Sequence, residues 1–319
     1  MLDPDSTTMT VVERANVDGL YPRLFYGALS IFASEDVQTS TLVIRLVNSL
    51  FTTLVLSATF FLLPRALRSA YVIAAVITAV PLGLFVYGST NPSSWAMLSA
   101  STVWVCIYAT FKTAGWRRNA LAAFAVFGAV LGSGARADAA AYAVLGAALG
   151  LFLGMRGAKR ALFPGVVFIV ITAIAAAFYL TAGQGSAVVG GLDSSNSRLP
   201  LSGHLSNFLN IPDLWRGALG GWPLGWFDTP LPALVSFVGV VTFGAVLVVG
   251  FGRAFRRQTI ALAIAIVAMW FVPFLLLARS NTVVGDLVQP RYILPLMVIT
   301  AGVAALRPKN SNFWAGRAV

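Results

Sequence analysis

The placement of charge between apolar stretches constrains this chain more than any other feature of its sequence. Nine segments, 41–63, 70–88, 93–111, 119–134, 139–154, 161–182, 231–252, 259–277 and 288–306, are mostly apolar. They approach the roughly 20 residues that a membrane-spanning helix needs. The connections after the first, third, fifth, seventh and ninth carry Arg65, Arg68, Lys112, Arg117, Arg118, Arg156, Lys159, Arg160, Arg253, Arg256, Arg257, Arg307, Lys309 and Arg317, with no Asp or Glu among them. The opposite connections hold all 11 acidic residues. Lys and Arg mark the cytoplasmic side of a membrane protein. The alternation runs through all nine segments and so supports their number as well as their direction.

Composition agrees. The chain is 58% hydrophobic and 10% charged, against about 25% charged in soluble domains. The expected fold is therefore all-α: a polytopic transmembrane bundle of about nine spanning helices in a cell membrane. The net charge of +11 is a topology signal, so nucleic acid is not an expected partner. One cysteine, Cys106, and one histidine, His204, give neither a disulfide nor the usual zinc site. No metal and no cofactor are expected.

The chain divides into an external segment 1–40, six spans in 41–182, an external loop 183–230, three spans in 231–306 and a cytoplasmic tail 307–319. Within 1–40, Tyr21–Leu29 is apolar and aromatic but too short to span, and reads as an interfacial or re-entrant helix. Nothing in the sequence would carry 1–40 across the membrane, so a helix upstream of Met1 is expected. In 183–230, Trp215, Trp222 and Trp226 suit the lipid headgroup level. No internal repeat supports an inverted-repeat transporter. No phosphate-binding glycine loop, dinucleotide fingerprint or HExxH pair occurs.

Candidate site residues lie on the acidic side. Arg45 sits about a turn inside the first span, where an ionised group either binds something or snorkels to the interface. Asn91 and Pro92 suit the cap and first position of the third span, either as ordinary capping or as an anion site. Arg136 and Asp138 share a tight turn, with Arg136 directed at the outer surface, either to hold a phosphate with Asp138 orienting it or to form a local ion pair. Gln289-Pro290-Arg291-Tyr292 opens the last span, with Arg291 placed to grip a lipid phosphate beside an aromatic ring. Carboxylates that could take a proton from an acceptor hydroxyl are Asp3, Asp5, Asp18, Glu35, Asp36 and Asp286. No spacing selects one.

Gly19-Leu20-Tyr21-Pro22-Arg23-Leu24-Phe25-Tyr26, then Ile44-Arg45-Leu46-Val47-Asn48, Asn91-Pro92-Ser93-Ser94, the Arg136 turn and Pro290-Arg291-Tyr292-Ile293-Leu294-Pro295 occur in this order. The chain thereby resembles the bacterial predicted membrane proteins grouped as domain of unknown function 2142. That group is similar in layout to the GT-C superfamily of membrane glycosyltransferases. The resemblance implies transfer of a sugar from a polyprenyl-phosphate donor to a cell-envelope acceptor on the external face. Arg45, Arg136 and Arg291 match the donor-phosphate role by position, with Asn91, Asp138 and Tyr292 beside them. The catalytic carboxylate of such enzymes follows a first helix that this sequence lacks. Asp3 and Asp5 fall in the distal part of that loop, and a chain without the helix reads as an inactive fragment. A transporter or flippase of lipid-linked saccharides would use the same arginines, and a non-catalytic membrane scaffold is the third reading.

Overall fold

The computed structural model describes residues 21–183, 196–224, 229–286 and 288–306. The order is α1 (Arg23–Ser30), α2 (Val37–Leu62), α3 (Arg65–Thr78), α4 (Pro81–Tyr87), α5 (Ser93–Thr110), α6 (Gly115–Ala135), α7 (Ala137–Gly154), α8 (Ala158–Thr181), α9 (Leu201–Arg216), α10 (Ala233–Arg253), α11 (Arg256–Ser280) and α12 (Leu294–Ala304). Each of the nine apolar segments coincides with helix, and the chain is an all-helical polytopic bundle.

Six helices, α2, α6, α7, α8, α10 and α11, are long and apolar enough to cross a membrane, and α3 with α4 adds a seventh bent by 96°. The remaining two of the nine differ for physical reasons. Every residue of α5 is buried, so α5 meets other helices rather than lipid and tolerates six serines and threonines. α12 is also buried throughout. Its 11 residues make a rod of about 16 Å, short of the ~30 Å hydrocarbon core, because Pro290–Tyr292 forms a 3-10 turn ahead of it. By contrast only 17% of the apolar window of α2 or of α10 is buried, and both face lipid.

Segment 70–88, expected as one span, breaks at Ala79 and Val80. Pro81 has no amide proton for the preceding turn and its ring excludes the carbonyl there. The fold-back brings Thr78 against Gly83, where a Cβ would lie 2.0 Å from the Thr78 carbonyl oxygen. Only glycine fits.

Basic residues gather at one end of the bundle. Arg117 donates from Nε to the Leu62 carbonyl at 2.8 Å and from Nη2 to that of Leu63 at 3.0 Å. Arg68 Nε donates to the same Leu63 oxygen at 3.0 Å. Both satisfy carbonyls that the end of α2 leaves open. Buried Gln258 does the same for α12, donating to Val303 and Leu306.

Segment 183–230 is not an unstructured loop among its described residues. α9 packs along α11, and each helix contains a proline, Pro212 and Pro273. A helical proline leaves the carbonyl four residues earlier without its donor. Here Trp270 Nε1 of α11 donates to the Phe208 carbonyl at 3.1 Å, and Trp215 Nε1 of α9 donates to the Met269 carbonyl at 3.2 Å. The two indoles meet edge-on at 5.2 Å. Trp215 therefore repairs a helix break. Replacing either tryptophan by phenylalanine is expected to cost about 1–3 kcal/mol, the penalty for a carbonyl left unpaired. Unfolding in an SDS titration measures it, and the double variant should show coupling through the shared ring contact.

Candidate functional site

Four junctions meet at the end of the bundle opposite Arg68 and Arg117. α6 stops at Ala135, Arg136 is a single extended residue (φ −152°, ψ 141°), and α7 begins at Ala137. The break costs no backbone hydrogen bond at Arg136, whose amide donates to Gly132 and whose carbonyl accepts from Ala140. It swings the side chain inward. Arg136 is only 5% exposed, so it is not directed at the outer surface as the sequence suggested.

Its guanidinium is held by a two-pronged pair. Nε donates to Asp138 Oδ1 and Nη2 to Oδ2, both at 2.8 Å. Nη1 reaches Ser93 Oγ at 3.4 Å, tying the junction to the start of α5. Asp138 Oδ1 also accepts from the Ala139 amide at 2.9 Å, which fixes the carboxylate against α7. The guanidinium lies 4.4 Å from the ring centre of Tyr292 and 5.9 Å from that of Tyr21. Burial raises the Tyr21 phenol above its ordinary pKa, and the Arg136 charge opposes this in part. Tyr21 therefore stays protonated at neutral pH.

Arg291 shares the Tyr292 ring, its guanidinium carbon 5.7 Å from the centre. Its Nε is buried and has no hydrogen-bond partner among the described residues. Two guanidiniums thus flank one ring, with Asp138 committed to only one of them. Among the described residues no carboxylate pairs with Arg291, which is half enclosed by protein. A cavity of about 780 Å³ lies alongside, lined by α1 residues including Arg23 and by Phe178 and Thr181 at the end of α8. Tyr21 borders both the cavity and Arg136.

α1 is seated by a close approach to α6. A Cβ on Gly134 would lie 2.4 Å from Leu24 Cδ2 and 2.7 Å from Leu24 Cβ. Gly134→Ala should push α1 away at a cost of about 1–3 kcal/mol for overpacking. Faster tryptic cleavage after Arg23 is the expected sign.

The other candidates fall elsewhere. Asn91 lies one residue before the cap. Pro92 is the cap, α5 begins at Ser93, and Asn91 Oδ1 accepts from the Ser93 amide at 2.9 Å. Its carbonyl side is thus spent on holding the turn beside Arg136. Arg45 is exposed and donates from Nε to the Gly88 carbonyl at 3.0 Å, away from the shared tyrosine. Asp36 caps α2, accepting from Gln38, Thr39 and the Thr39 hydroxyl. Asp286 is exposed on a turn, and His204 lies within α9 rather than in a loop. Asp3, Asp5, Asp18 and Trp226 lie outside the described residues.

Sequence reasoning passed over Asn48, whose amide ties α2 to the turn before α5. Nδ2 donates to Ser89 at 2.8 Å and to Ser94 Oγ at 3.1 Å, and Oδ1 accepts from Trp95 Nε1 at 3.0 Å. A buried amide in an apolar segment is itself a signal.

With the geometry in view, residues 4–300 match the family described as predicted membrane protein DUF2142 (domain of unknown function 2142). The chain belongs to this family. No curated protein matches, and no solved structure matches. For DUF2142 the match covers α1 to α11 and most of α12, so all four junctions that build the arginine cluster lie within it. This member of DUF2142 is a membrane protein.

Proposed function

We propose that this DUF2142 protein binds the phosphate of a polyprenyl-phosphate-linked sugar at Arg291, Tyr292 and Arg136, and transfers the sugar to a cell-envelope acceptor. The observation that carries the reading is Arg291, a half-buried guanidinium whose Nε has no partner among the described residues, beside a second arginine already neutralised by Asp138. Burying an unpaired charged donor is costly, and a phosphate oxygen would relieve it. An arginine fork matches phosphate geometry. The adjoining cavity would take the sugar, and the lipid-facing helices the prenyl chain.

In this reading the end bearing Arg291 faces outside, because the Lys and Arg connections mark the other end as cytoplasmic. Asp138 keeps Arg136 in place rather than acting on substrate. An acceptor hydroxyl attacks the anomeric carbon and gives its proton to a carboxylate, for which Asp3 and Asp5 are the candidates. The bond from that carbon to the phosphate oxygen breaks, and the polyprenyl phosphate leaves with its charge stabilised by Arg291.

Purified protein supplied with a radiolabelled polyprenyl-phosphate sugar and cell-wall glycan tests this. A covalent glycan product supports transfer. Movement of labelled lipid across a proteoliposome membrane without product would replace it with a flippase, and neither outcome, without binding, with a scaffold.

A further inference from the structure

We propose that the cleft between α2 and the bent α3–α4 pair is a site for an anionic glycerophospholipid, with an acyl chain in the cleft and the phosphate on Arg45. The site is separate from the Arg291 cluster and does not depend on it.

The cleft lies where α4 folds back by 96° on α3 and the bent pair stands off from α2. It encloses about 350 Å³ and is lined by Ser49, Thr52 and Leu56 on one side and Ala75, Leu84 and Gly88 on the other. That lies at the lower end of the volumes typical of ligand pockets, about 300–1,000 Å³. Val76 and Leu84, which line it, are each more than half exposed. They open the cleft sideways to hydrocarbon, where a chain can enter without crossing water.

Two polar groups show what would fill it. Arg45 lies one turn from Ser49, whose hydroxyl donates to the Arg45 carbonyl at 2.8 Å. It is nine residues into α2, about 12 Å along the helix axis. A free cation at such depth usually snorkels away. This one is pinned, since its Nε donates to the carbonyl of Gly88, a residue that lines the cleft. Its two terminal amino groups make no hydrogen bond among the described residues, and that edge of the fork is the one a phosphate takes.

The second group is Thr52. It is 5% exposed, it lines the cleft, and its hydroxyl has no partner among the described residues. Neighbouring Thr53 and Ser49 satisfy theirs on the preceding turn. A buried hydroxyl without a partner is unfavourable. An ester carbonyl of a glycerophospholipid accepts from it below the phosphate. An isoprenoid chain carries no such oxygen, so the observations favour a bilayer phospholipid over a prenyl phosphate here.

Delipidated protein is titrated with phosphatidylglycerol, with diacylglycerol of the same chains, and with polyprenyl phosphate, and retained adducts are read by native mass spectrometry. The wild type should hold phosphatidylglycerol at least about tenfold more tightly than diacylglycerol. Arg45→Gln should erase that margin. Ala75→Phe, which fills the cleft, should remove the adduct without altering the effect of Arg291→Gln on polyprenyl phosphate. Equal retention of phosphatidylglycerol and diacylglycerol by the wild type overturns the proposal, and needs no variant to fold. So does an adduct unchanged in a correctly melting Ala75→Phe. Polyprenyl phosphate that competes for the Arg45 site as well as phosphatidylglycerol does would overturn the choice of lipid.

Discussion

Replacing Asp138 by alanine is expected to destabilise the folded protein by about 3 kcal/mol. The change removes both acceptors of the 2.8 Å pair to Arg136 and leaves a guanidinium 6% exposed with only the long contact to Ser93 and two aromatic rings. Breaking one partner of a buried pair usually costs about 3–5 kcal/mol. The low end applies because the Asp138 side chain is 25% exposed and water can reach part of the vacated space. The loss also frees the Ala139 amide in the first turn of α7. Asp138→Asn keeps the shape and one acceptor and should lose less. The measurement is unfolding in an SDS titration. An effect below about 1 kcal/mol, the value of an exposed pair, would mean that Arg136 and Asp138 form a surface turn after all.

Arg291→Gln has the opposite profile, with little effect on stability and a large one on ligand. Its Nε makes no hydrogen bond among the described residues, so the variant gives up only the contact with the Tyr292 ring and removes an unpaired donor. Binding of a polyprenyl phosphate should fall by about ten- to a hundredfold, as expected for charge-assisted hydrogen bonds worth about 1.5–3 kcal/mol. Arg291→Lys keeps the charge but not the fork, and should recover only part. Native mass spectrometry of the detergent-solubilised protein with each variant reads the change. Loss of folding in Arg291→Gln would instead mark the arginine as structural.

The nine helical segments were legible because lipid is an unforgiving solvent: a span must be long and apolar, and its flanking charges sort by side. The bend at Pro81 carried its own mark in the proline. α9 was hidden because Gly, Ser, Asn and Pro in 183–230 argue against helix locally. Packing on α11 overrides that preference, and Trp270 and Trp215 supply the donors that Pro212 and Pro273 displace. At the site, residue types were readable and depth was not. The stretch around Arg136 looks like an exposed turn because nothing in Ser133-Gly134-Ala135-Arg136-Ala137-Asp138 reveals that α1, α5 and the Tyr292 turn cover it. Those contacts join residues more than 40 positions apart, and a single sequence carries no record of them. Arg45 lies on the same apolar segment as Asn48 and resembles the other two arginines only by its position in the order of motifs. Its bond to Gly88 sets it on a different surface.

The Arg291 cluster is proposed to recognise a lipid-linked phosphate. The most direct test compares binding of polyprenyl phosphate and of the uncharged polyprenol to the same purified protein in nanodiscs. The phosphate should bind at least tenfold more tightly, and Arg291→Gln should abolish the difference while Arg45→Gln leaves it. Equal binding of phosphate and alcohol, or a preference that survives Arg291→Gln, would contradict it.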